Sequence, residues 1–173
     1  PYDVQASMAH AKMLGAQGII TSEEAEALVT ALAIYGDEIS RDGFVIEEEY
    51  EDIHSKIEAH LIEKLGDTGK KIHTARSRND QVLVALQLYS VDQLQNLATK
   101  THAFAQVLLR LAAQNKEAFM PGYTHMQVAM PSSFGLWFSA YAETLADDIV
   151  GLKTAQHLAN QNPLGSAAGY GSS

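Results

Sequence analysis

Between His73 and Gln81 the chain places two guanidiniums (Arg76, Arg78), a hydroxyl (Ser77), an amide (Asn79) and a carboxylate (Asp80) at the threshold of a long helical stretch. That set suits an anionic ligand. Ser77 and Asn79 can donate hydrogen bonds to a carboxylate, and the free amides of a helix start add a positive dipole end. Arg76 and Arg78 are two apart and point in different directions, so one can bind a ligand while the other pairs with the acidic surface. The competing reading is a solvated cap in which Asn79 or Asp80 satisfies backbone and the arginines are surface charges. A second polar knot, Met120 to Gln127, holds His125 just after the turn-forming pair Pro121-Gly122. Thr124 and Gln127 flank this histidine and could hold a ligand or fix its tautomer. An imidazole there can act as acid or base near neutral pH, or serve as a structural histidine bonded to backbone. His54 borders the apolar face of its own helix with Asp52 and Glu58 nearby, where the residues alone describe a satisfied boundary histidine. His10, His60, His73, His102 and His157 lack partners at metal-ligand spacing and cysteine is absent, so no metal centre is expected.

Helices must position these groups. Tyr2 to Gly15 carries Val4, Met8, Ala11, Met13 and Leu14 at helical spacing, with Gly15 and Gly18 as its stop. Thr21-Ser22-Glu23-Glu24 predicts a capping box opening a second helix, whose face is Ala25, Leu28, Val29, Leu32 and Ile39 and whose end lies near Asp42-Gly43. Glu47-Glu48-Glu49 reads as the acidic first turn of a third helix carrying Tyr50, Ile53, His54, Ile57, Leu61 and Leu65 up to Gly66. Gly66 to Lys71 reads as a flexible connector. Beyond it, Asn79 or Asp80 is expected to cap a helix free of glycine and proline until Pro121. Such a helix would span roughly 55 Å, longer than a compact globule of this length is wide. Its apolar positions Leu97, Thr101, Phe104, Leu108 and Leu111 form a seam that demands partner helices, which oligomerisation would supply. Pro131-Ser132-Ser133 is expected to start a last helix burying Trp137, Phe138, Tyr141, Leu145, Ile149 and Leu152, with Asn162-Pro163 barring continuation. No run with period two is evident. The class is all-α: a small N-terminal helical domain at 1–76, then part of a long-helix bundle at 77–173.

Bulk properties narrow the partners. The 173 residues carry a net charge of −9, and 46% of them are apolar. The acidic balance disfavours nucleic acid and anionic lipid, and no uniformly apolar helix suggests a membrane span. Without a secretory leader pattern the expected location is cytoplasmic. The opening Pro1-Tyr2-Asp3 and the closing Gly165 to Ser173 loop suggest truncation at both ends.

Five segments carry a family likeness: Asp3-Val4-Gln5-Ala6-Ser7, Glu51-Asp52-Ile53-His54-Ser55, Lys71 to Gln81, Pro121 to Gln127 and, more weakly, Asn162-Pro163-Leu164-Gly165. On these the chain resembles the argininosuccinate lyases, within the fumarase and aspartase superfamily of helical lyases that also gave rise to delta-crystallin. The resemblance runs along the whole chain in order. It implies reversible β-elimination of argininosuccinate to fumarate and L-arginine, without cofactor or metal. It implies that Ser7, Ser77, Arg78, Asn79 and Thr124 hold the substrate, that His125 is a catalytic histidine, and that His54 and Gln127 line or support the pocket. It further implies a homotetramer with active sites shared between subunits. The family's third signature, a glycine- and serine-rich loop before Met-Pro-Gln-Lys-Lys-Asn, is expected downstream of residue 173, which would leave this chain inactive alone. Two alternatives are a lyase of the same superfamily acting on another succinyl adduct and a non-catalytic, crystallin-like structural relative.

Overall fold

The computed structural model describes residues 1–163. These fall into two compact units, residues 1–89 with 161–163, and residues 90–160. The Gly165 to Ser173 loop lies outside the described residues.

In the first unit, α1 (Tyr2–Ala16) and α2 (Ser22–Asp42) pack together, joined by a short turn. Thr21 and Glu24 form the reciprocal capping box expected for α2. Helix α3 (Ile53–Leu65) closes the core, in which Val4, Ala11, Leu14, Leu28, Leu32, Ile57 and Leu61 are buried at spacings of three, four or seven along their helices. Burying each such leucine or valine is worth about 1.5–3 kcal/mol. The third helix starts later than expected. Asp52 is its N-cap, accepting from the Ser55 amide at 2.8 Å, while Glu47 to Glu49 form an exposed turn outside the helix. Glu47 pairs with Lys56 there, so the acidic run serves an ion pair rather than a first turn.

The expected flexible connector is ordered. Asp67–Lys70 forms a single helical turn, α4, followed by a 3₁₀ turn at Lys71–His73. Gly69 lies against the backbone of α3 so closely that a Cβ would come within 2.4 Å of Leu61 C and O. Ile72 is buried in the core, and Lys71 pairs with Glu24 of α2. These contacts fix the segment leading into α5 (Arg78–Gln114), 37 residues long and ended well before Pro121.

The second unit contains the later part of α5, a hairpin and α6 (Phe134–Ala159). Helix α6 runs back antiparallel along α5. At one end the Gly135 position faces Ala112 and Lys116, and at the other Gln156 donates to the Val91 carbonyl and the Gln95 side chain. Ala105, Leu108 and Ala142 are buried between them. The hairpin, β1 (Phe119–Thr124) antiparallel to β2 (Gln127–Ser133) with an irregularity between Pro121 and Tyr123, departs from the strandless expectation. Pro131 therefore lies in a strand, and Ser133 caps α6 by accepting from the Leu136 amide at 3.1 Å. Trp137 and Tyr141, expected on the buried side, are 45% and 52% exposed; the inward stripe is Gly135, Phe138, Ala142, Leu145, Ile149 and Leu152.

Candidate active site

Helix α5 begins at Arg78, and the residue that caps it is Ser77, not Asn79 or Asp80. The Ser77 hydroxyl accepts from the Asp80 amide at 3.4 Å while Asp80 Oδ2 accepts from the Ser77 amide at 2.8 Å, a reciprocal capping arrangement. Asn79 is exposed in the first turn, beside amides with no helical partner. Ala75, at φ 56, turns the chain so that neighbouring arginines reach different helices.

Each arginine is anchored. Arg78 Nη1 donates to Asp52 Oδ1 at 2.6 Å and to Ser55 Oγ at 3.2 Å on α3. Desolvation pushes the Asp52 carboxyl up, but hydrogen bonds from the Ser55 amide and hydroxyl and the Arg78 charge together bring it below its ordinary value. Arg76 Nη2 donates to Ser7 Oγ at 3.1 Å on α1. Burial lowers the Arg76 guanidinium to about 10, against the opposing pull of Asp3, Glu58 and Asp80. His10 Nε2–H donates to the Thr74 carbonyl at 2.8 Å, tying α1 to the same segment.

Ser7 and His54 are both buried. His54 is satisfied, as expected, but buried rather than at the boundary: its Nδ1–H donates to Asp3 Oδ1 at 2.7 Å, with both side chains 6% or less exposed. The structure thus gathers Ser7, His54, Ser77, Arg78 and Asn79 around the start of α5, walled by α1 and α3. A pattern of available donors follows. The hydroxyls of Ser7 and Ser77 accept from Arg76 and from the Asp80 amide; Ser77 is half-buried and keeps its O–H to donate, whereas Ser7 is fully buried. Arg78 uses one of its nitrogens on α3 and keeps further N–H groups.

Thr124, His125 and Gln127 lie in the second unit, around the tip of the hairpin. Thr124 and Gln127 are strand partners, so the loop between them has two residues. Both of these, His125 at φ 51 and Met126 at φ 61, are left-handed, as a type I′ turn requires. Asn-Gly normally fills such a turn, and a non-glycine residue there costs of order 1–3 kcal/mol. His125 is exposed, and Met126 is 93% exposed. This turn holds an imidazole at an exposed tip.

A family model described as lyase matches residues 1–173. The chain belongs to that lyase family. Among its relatives, an argininosuccinate lyase of Bacteroides fragilis is 52% identical over 172 residues, covering 99% of this chain and 38% of the relative. One from Xanthomonas axonopodis pv. citri is 46% identical over 170 residues, covering 98% and 39%. Among solved structures, an EDDS lyase variant with bound fumarate superposes with a TM-score of 0.86 at 30% identity, covering 99% of this chain and 33% of that one. A fumarate lyase:delta crystallin from Brucella melitensis, at 19% identity and a TM-score of 0.81 over 97% of this chain and 43% of that one, shares the fold. This lyase chain therefore spans about two fifths of the length of the curated relatives it matches.

Asp80 satisfies backbone at Ser77, as expected, whereas Asp3 as a support and which arginine stays free were not legible from spacing. An acid at position 3, on a buried face of α1 shared with Val4, Ser7, Ala11 and Leu14, was a usable signal. The Arg76–Ser7 bond joins residues 69 positions apart and has no spacing signature.

Proposed function

We propose that the full-length protein is an argininosuccinate lyase, eliminating fumarate from argininosuccinate to leave L-arginine, reversibly. The observation that carries this reading is the 52% identity with argininosuccinate lyase over 99% of the chain. The donor arrangement supports it chemically. Removal of the proton next to a carboxylate builds negative charge on that carboxylate as an aci-anion, and prepositioned donors must be waiting for it. Ser7, Ser77, Arg78 and Asn79 are such donors, joined by Thr124. His125 moves a proton as the bond from carbon to the guanidino nitrogen breaks, and the family resemblance gives His54 and Gln127 supporting roles. The chemistry of these residues asks for no metal or redox cofactor.

The working protein is a cytoplasmic homotetramer whose sites are completed by more than one subunit. The exposed apolar side chains of the second unit support an assembly of copies, among them Leu97, Phe104, Leu136 and Trp137. Incubating the full-length protein with argininosuccinate, and separately with adenylosuccinate, tests the substrate. Fumarate absorbance should rise with the first alone; release from adenylosuccinate only would assign the chain to another succinyl adduct.

A further inference from the structure

Asp3 carries no role in the reaction so far, yet it ties together three walls of the site. Its side chain is 3% exposed on α1, where an apolar residue would cost less to bury than a carboxylate. One oxygen, Oδ1, accepts from His54 Nδ1–H of α3 at 2.7 Å. The other, Oδ2, is buried without a protein partner, as is Nε of Arg76, whose charge interacts with Asp3. At i+4 from Asp3, Ser7 is held by Arg76 from the α5 lead-in. A histidine whose Nδ1–H is bound to a carboxylate has its ring plane and tautomer fixed, and Nε2 is the nitrogen left for an outside group.

We propose that Asp3 is a positioning residue, which acts through His54 by locking that ring with Nε2 available to the substrate. The proposal rests on the lyase reading for its kinetic consequence, though not for the state of the ring.

The test uses the full-length protein with Asp3→Ala, Asp3→Asn, His54→Gln and the Asp3→Ala/His54→Gln double variant, assayed well below each variant's Tm. Asp3→Ala should lower kcat/KM for argininosuccinate by about tenfold or more beside His54, and by less than about twofold once His54 is already Gln, the signature of two coupled residues. Asp3→Asn keeps an acceptor for Nδ1–H and should restore activity to within about fivefold of wild type, as hydrogen bonding without charge allows. Equal losses from Asp3→Ala in both backgrounds, or an Asp3→Asn variant as impaired as Asp3→Ala, would overturn the proposal. If the wild type releases no fumarate, the lyase reading fails and ring ¹⁵N shifts decide the question for Asp3. Nδ1 of His54 should be protonated in the wild type, with the ring exchanging between tautomers in Asp3→Ala; identical ring shifts in the two proteins would refute the role.

Discussion

A hydroxyl can stabilise a developing anion only if its proton is not already spent inside the protein. Ser77 meets this condition, being half-buried with its oxygen accepting from the Asp80 amide, whereas Ser7 is fully buried against Arg76. Arg78 is different: anchored to Asp52 and Ser55, it is a positioned donor rather than a mobile one. His125→Ala should lower turnover of the full-length enzyme at least about tenfold, the lower range for a lost acid–base group, measured as the initial rate of fumarate release. Unchanged turnover would remove His125 from the mechanism. The turn that carries His125 is strained, so Met126→Gly should stabilise the fold by up to about 1 kcal/mol in urea unfolding, glycine being the residue that tolerates a left-handed conformation. Residue types were legible from the sequence here because donors, acids and a loop histidine declare their chemistry. Their partners were not, since Asp3–His54 and Arg76–Ser7 join residues 51 and 69 positions apart.

Elements were legible where the side-chain period is strong and the cap is local. Thr21 and Glu24 announce α2, and the apolar positions of α1 to α3 are the observed core. The hairpin was hidden for physical reasons. Pro121 faces Pro131, Gly122 interrupts the run, and β2 is exposed on both faces over most of its length, so no alternation of apolar and polar residues was there to read. The Gly66–Lys71 segment looked flexible because glycine there signals a turn; its rigidity comes from contact with α3 that the local sequence does not encode. Gly69→Ala should therefore destabilise the first unit by about 1–3 kcal/mol, the usual cost of overpacking, read as a lowered urea midpoint. A neutral effect would mean the segment is loose. Burial, followed by the Arg76 charge, lowers the pKa of His10, and burial lowers that of His60 too, both from 6.5. The unfolded chain then binds more protons than the folded one just below pH 6.5, so stability is full above that value and declines as pH falls below it. Urea unfolding between pH 7 and 5 should show the decline, reduced in His10→Gln.

At the scale of the molecule, the second unit supports the proposed assembly of several copies. Among its described residues only Ala105, Leu108 and Ala142 form a buried apolar set, whereas Leu97, Phe104, Leu136, Trp137 and Tyr141 are at least 45% exposed. Exposed apolar area of this kind on long helices favours association with further helices. The apolar seam along α5 was legible in the sequence, but what covers it could not be read from one chain. Phe104→Glu should reduce the proposed tetramer to smaller species in analytical ultracentrifugation and lower activity with it; a tetramer retained by this variant would place the interface elsewhere. Donors fixed at the start of α5, together with the hairpin histidine, are proposed to serve elimination from argininosuccinate. Its most direct measurement is the ultraviolet absorbance of fumarate when the folded, full-length protein meets argininosuccinate. A steady rise that depends on enzyme concentration is expected; no rise from a folded, assembled protein would refute this role.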